Sequence, residues 1–128
     1  MEVSPVQASI DVSVSDPQHV LATIVKVNVS NRPIWILKDP PTVLVKVEGR
    51  EMRDIGPRYK RAEYTMADYE QVLPGHSVTR QRDLTDCFGW LPGTHTYEAR
   101  TGSGYVDPTA NNHFTSSDWA TTQFTLAR

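Results

Sequence analysis

The chain has 128 residues, of which 38% are hydrophobic and 22% charged, and a formal net charge of −2. A disordered chain would carry fewer β-branched and aromatic residues and a larger charge excess, so the composition is that of a globular protein. Charge this close to neutral argues against a broad phosphate-binding face, because nucleic-acid affinity comes from neutralising several phosphates with Lys and Arg.

A chain of this length fits one domain, spanning residues 1–128, and it buries roughly two thirds of the surface its unfolded form exposes. The one cysteine, Cys87, leaves no internal disulfide, so packing alone must hold the fold. No stretch reaches the ~20 apolar residues of a membrane-spanning helix, and no membrane span is expected. Met1-Glu2-Val3-Ser4-Pro5 lacks the basic start and apolar run of a signal peptide. Two addresses stay open: the protein remains inside the cell, or Met1 marks where a signal was removed.

In chain order, the first pattern is Ala8, Ile10, Val12 and Val14 alternating with Ser9, Asp11, Ser13 and Ser15. A period of two predicts a strand with one apolar face. Asp16-Pro17 breaks it. Val20 to Val29 alternates again: Leu21, Val25, Val27 and Val29 share a face with Thr23, while Lys26 and Asn28 point the other way. Asn31-Arg32-Pro33 reads as a turn and Ile34 to Leu37 as a short apolar strand. After Asp39-Pro40-Pro41, Val43, Val45 and Val47 point inward and Lys46 outward. Glu48-Gly49-Arg50-Glu51 then forms the tip of a hairpin returning through Met52 to Ile55.

From Gly56 to Met66 no period survives, and Thr65 to Val72 fits a helical turn or a strand, with strand preferred from Tyr69 to Val72. Leu73-Pro74-Gly75 is a turn, Ser77 to Leu84 a strand, and Thr85 to Pro92 a corner holding Phe88 and Trp90. Thr94 to Arg100 is a strand with Tyr97 and Ala99 inward. Thr101 to Ser117 reads as a long polar loop, and a terminal strand carries Phe124 and Leu126 on one face. Seven to nine short antiparallel strands without an amphipathic helix predict an all-β, immunoglobulin-like sandwich.

No catalytic constellation is visible. His19, His76, His95 and His113 are far apart and lack the short spacings of zinc ligands, so no metal and no cofactor is expected. Cys87 has no basic neighbour in the sequence to lower its pKa, and it reads as a buried thiol packing the corner. No serine sits in a nucleophile elbow. Thr101-Gly102-Ser103-Gly104 follows a strand and opens no helix, so it is a loop and not a phosphate cradle. Asp83-Leu84-Thr85-Asp86 reads as turn chemistry, with short carboxylates bonding nearby amides. The loop from Asp107 to Asp118 has too few closely spaced oxygen ligands for calcium. Asn28-Val29-Ser30 matches a glycosylation acceptor at a strand end.

Two surfaces have the composition of binding sites. Arg58, Tyr59, Lys60, Arg61 and Tyr64 interleave cations with aromatics, the residue types that dominate binding hot spots; the plain alternative is a solvated hairpin face. Tyr105, Phe114 and Trp119, in or beside the late loop, suit sugar stacking or protein contact, and Trp119 suits a core cap equally.

Three stretches carry a family resemblance: Asp68-Tyr69-Glu70-Gln71-Val72-Leu73-Pro74-Gly75-His76-Ser77-Val78, then Asp83-Leu84-Thr85-Asp86, then Pro92-Gly93-Thr94-His95-Thr96-Tyr97. Together with Ile55-Gly56-Pro57-Arg58-Tyr59-Lys60-Arg61, and with Asn31 to Pro40, they resemble the β-sandwich domain preceding the catalytic domain in aspzincin metalloendopeptidases, the deuterolysin and peptidyl-lysine group. The similarity runs from about Ser9 to Leu126. Pro-Gly-x-Ser and Gly-Thr-x-Tyr recur in unrelated sandwiches, since a tight turn needs Gly and a tyrosine hydroxyl pins the corner. A weaker likeness is to small immunoglobulin-like proteinase inhibitors of bacteria. The family's His-Glu-x-x-His helix is missing from this sequence, so the resemblance implies no activity.

The resemblance implies a non-catalytic, protease-associated module with a metalloprotease partner, monomeric or weakly dimeric, secreted or periplasmic with its signal removed. The alternative function is a carbohydrate- or surface-binding accessory domain. An edge strand such as Ser117 to Leu126 is open to pairing with another copy.

Overall fold

The computed structural model describes residues 5–15, 19–38, 42–56, 66–102, 105–107, 113–115 and 119–127. Among them are eleven strands and one 3-10 turn. The strands are β1 (Val6–Ser15), β2 (His19–Asn28), β3 (Ile34–Leu37), β4 (Leu44–Val47), β5 (Arg50–Glu51), β6 (Tyr69–Val72), β7 (Ser77–Asp83), β8 (Thr94–Gly102), β9 (Tyr105–Asp107), β10 (His113–Thr115) and β11 (Trp119–Ala127). The protein is all-β and sandwich-like, with every strand pair antiparallel. Three sheets form, in the orders β1-β2-β7, β10-β9-β3-β6 and β11-β8-β4-β5.

The first sheet packs over both others, which divides the core. The larger cluster joins Ile10 of β1 and Val20, Ala22 and Ile24 of β2 to Val43, Val45 and Val47 beside and on β4. Tyr97 and Ala99 of β8, Phe124 and Leu126 of β11, and Leu84, Cys87, Phe88 and Trp90 of the corner before β8 complete it. The smaller cluster holds Val6, Ile34, Ile36, Val72 and Val78, with Tyr105 against it. Each fully buried aliphatic side chain here contributes about 1.5–3 kcal/mol.

In β2 the buried face is Val20, Ala22, Ile24, Lys26 and Asn28, and the more apolar Leu21, Val25 and Val27 set is half-buried. Alternation divided the faces correctly, but hydrophobicity did not indicate the inner one. Lys26 is 6% exposed and Asn28 wholly buried. Both sit past Ile24, where the larger cluster gives way to the smaller, with Ala8 and Val78 beside Lys26 on the flanking strands.

Asn28 turns this seam into a knot. Its Nδ2 donates to the carbonyls of Arg32 and Val72, both at 2.8 Å, and its Oδ1 accepts the Ser30 amide at 2.9 Å and hydroxyl at 2.6 Å. A buried amide with all these groups satisfied is stable in a core, whereas an unpaired one costs about 1–3 kcal/mol. The glycosylation pattern is therefore a structural turn whose acceptor nitrogen is already occupied.

The corner between β7 and β8 is organised by aromatics. Trp90 meets Tyr97 edge-on with centroids 5.0 Å apart, and Tyr97 stacks on Phe124 at 5.4 Å. The Trp90 indole donates to the Thr85 carbonyl at 3.0 Å, and the Leu91 amide donates to the Tyr97 hydroxyl, also at 3.0 Å. That hydroxyl pins the corner as its position after Pro-Gly-Thr predicted. Asp83 Oδ1 accepts the Thr85 amide at 2.9 Å and its hydroxyl at 2.5 Å, the turn chemistry expected of this stretch. These bonds hold the Asp83 carboxyl below its ordinary pKa.

The β4–β5 hairpin turns on Glu48 and Gly49, with φ of 51° and 77°. Two successive positive values are the mirror-image turn whose twist suits a hairpin. One element differs from expectation. The stretch read as a polar loop contains the β9–β10 hairpin, with Phe114 opposite Val106 and Thr115 opposite Tyr105, because three-residue strands are too short to show a period. β11 stands at the end of its sheet, as expected of an edge strand, and lies near β1 of the first sheet.

Candidate functional site

Residues 57–65 lie outside the described residues, and with them Arg58, Tyr59, Lys60, Arg61 and Tyr64. The segment leading into them is described. Beyond β5, the Met52 amide still bonds the Val45 carbonyl at 2.8 Å, and then the chain diverges from β4. A cleft of about 380 Å³ opens in the wedge, lined by Val43, Leu44, Met52, Arg53, Asp54 and Phe88 among others.

The diverging segment is held at three points. Arg82 of β7 donates to Asp54 Oδ2 at 2.6 Å. The Ile55 amide bonds the Cys87 carbonyl at 2.8 Å. Gly56 lies so near the corner that a Cβ there would stand 2.5 Å from Cys87 Sγ, so glycine is required for this approach. The Gly56 amide also donates to Asp54 Oδ1 at 2.9 Å. On this fixed backbone Ile55 is 64% exposed. Among the described residues Arg53 makes no ion pair, whereas Asp54 is neutralised by Arg82.

Cys87 is buried, as predicted. Its thiol donates to the Asp83 carbonyl at 3.3 Å. The expectation that it has no basic neighbour is corrected: the Arg82 guanidinium stands 3.8 Å from the sulfur, because strand period turns Arg82 inward beneath the corner. Burial nevertheless pushes the thiol pKa up, outweighing the pull of Arg82. The group is thus kept as a protonated thiol, the opposite of what nucleophilic chemistry needs.

Tyr105 is half-buried on β9 and packs against the smaller cluster, so it serves the core. Phe114 lies on β10, paired with β9, while Trp119 opens β11 in a different sheet, opposite Gly102. The three aromatics are therefore split between two sheets. His95 bonds the Pro92 carbonyl at 2.9 Å and faces Glu48 at 3.8 Å. Among the described residues no three His, Cys, Asp or Glu side chains are placed to hold a metal ion, and no helix is long and apolar enough to cross a membrane. The site that sequence reading missed is the Asp54–Arg82–Cys87 cluster, whose members stand 28 and 5 residues apart; only the inward parity of Arg82 signals it. The chain matches no protein-family model, and no curated protein matches it.

Proposed function

We propose that the domain is a non-catalytic protein-binding module that meets its partner through the Arg50–Gly56 segment and the cleft behind it. One observation carries the reading: Ile55 is 64% exposed on a backbone clamped to the β7–β8 corner. A large apolar side chain presented on a rigid backbone loses little entropy when a partner covers it. Arg53 beside it adds the residue type most enriched with aromatics at hot spots. The neutral, buried thiol and the neutralised Arg82–Asp54 pair are structural supports beneath this surface.

The sequence resemblance to the sandwich domain of aspzincin peptidases makes metalloendopeptidases the partner class to test first. Binding and inhibition are to be measured across a panel of such enzymes, with Ile55→Asp and Arg53→Glu chains alongside the parent. The expected result is binding by the parent and loss of at least about tenfold in affinity in each variant. Absence of binding to any protease removes the protease reading. Equal binding by parent and variants removes this face.

A further inference from the structure

The edges of the three sheets are unequally protected. β5 is two charged residues long and β6 four residues, while β1 and β11 lie against each other. β7, at the edge of the first sheet, is seven residues long and pairs only with β2 among the described strands. β6 and β7 are consecutive, yet β6 belongs to the other sheet, and the place beside β7 in its own sheet is taken by no described strand.

The direction of its outer backbone groups follows from the ladder. Asn28 N bonds His76 O at 2.9 Å and Leu84 N bonds Val20 O at 2.7 Å. In an antiparallel pair, residues bonded to the neighbour alternate with residues that face away. The even-numbered residues therefore bond β2, and Ser77, Thr79, Gln81 and Asp83 turn their amides outward. All four are exposed, and none of these amides has an acceptor among the described residues. Natural edges of this length are normally blunted by Lys, Pro or a bulge. Here the outward-facing positions 77, 79 and 81 are Ser, Thr and Gln, and the only charge among the four is Asp83 at the strand's end.

We propose that the edge of β7 that no described strand covers pairs with the β7 edge of a second copy of this chain, giving a two-fold antiparallel dimer with one continuous sheet. The charges permit it. Arg80 and Arg82, inward residues of β7, already hold Glu70 at 2.8 Å and Asp54 at 2.6 Å, so Asp83 at the end of the strand is the one charge each edge brings without an ion pair among the described residues. A register centred on Thr79 sets Thr79 against itself, Ser77 against Gln81 and Val78 against Arg80, with no like charges opposed. Registers centred on Arg80 or Gln81 oppose two arginines and are disfavoured. Such a self-matched contact closes at two copies. The Arg80 contact to the Thr79 carbonyl, at 3.3 Å, is long enough to yield to an amide donor.

The test is sedimentation equilibrium of the full chain from about 10 μM to 1 mM, a range that brackets weak association, with amide-resolved NMR hydrogen exchange at both ends. Thr79→Pro and Gln81→Pro each remove an outward amide only, which an edge strand tolerates. Thr79→Lys places two ammonium groups across the two-fold. The expected result is a mass rising toward the dimer, with protection gained at the amides of residues 77, 79 and 81 as concentration rises. Each variant should weaken association by at least about tenfold. A chain that stays monomeric at the highest concentration overturns the proposal. So does a dimer whose protection appears elsewhere, or one that Thr79→Lys leaves unchanged while folded.

Discussion

Replacing Lys26 with methionine should make the protein more stable at neutral pH. Lys26 is 6% exposed, set among Ala8, Val78 and Ile24, and its pKa falls from 10.5 to about 8 because burial penalises the ammonium and Arg80 repels it. A lysine whose folded pKa is depressed binds its proton more weakly folded than unfolded. Below about pH 8 both states are charged and the folded state carries the full penalty; through the window up to 10.5 the unfolded state holds more protons, so stability rises with pH. The difference of about 2.5 pKa units corresponds to about 3 kcal/mol.

Lys26→Met keeps the length of the side chain and removes the charge, together with whatever interaction the ammonium makes. The expected gain at pH 7 is therefore about 2 kcal/mol, or roughly 1 M in the urea midpoint. It should shrink steadily toward pH 10 as the parent loses its buried charge. Urea unfolding followed by tryptophan fluorescence at pH 7, 8.5 and 10 reads both quantities. A variant less stable than the parent at pH 7 would refute the reasoning, as would a difference that stays constant with pH.

Three further substitutions probe the joints of the fold. Tyr97→Phe keeps the stack on Phe124 and strands the Leu91 amide, and should cost about 1–2 kcal/mol in thermal or urea unfolding. Asn28→Ala leaves the Val72 carbonyl and the Ser30 amide without their partner and should cost about 2–4 kcal/mol; a loss under about 1 kcal/mol would mean that the seam does not depend on it. Gly56→Ala drives a methyl into Cys87 and should cost about 1–3 kcal/mol. Adding Cys87→Ala should recover much of that loss, and strict additivity in the double-mutant cycle would show that the two residues do not touch.

Much of this architecture was legible in the sequence where local chemistry acts alone. The alternation of Val43, Val45 and Val47, the turn at Leu73-Pro74-Gly75 and the Asp83–Thr85 turn each follow from period or side-chain geometry within a few residues. β2 was harder, because both its faces are apolar in part and the decision came from which sheets cover it. The β9–β10 hairpin was invisible, as its strands are shorter than the window in which a period can be counted. The site was least legible. Arg82, Asp54 and Cys87 meet only because a corner folds over a diverging hairpin arm, and no local pattern records that meeting.

The contact of β1 with β11 ties the first strand to the last. During synthesis the β1–β2 hairpin leaves the ribosome long before β11 exists, and its inner face waits for residues near position 124 before the larger cluster can close. Contacts this distant in sequence make folding slow, and an apolar hairpin held waiting is a target for chaperones and for aggregation. Truncation from the C-terminus, even by the ten residues that contain Phe124 and Leu126, should therefore yield insoluble chains and not a smaller folded unit.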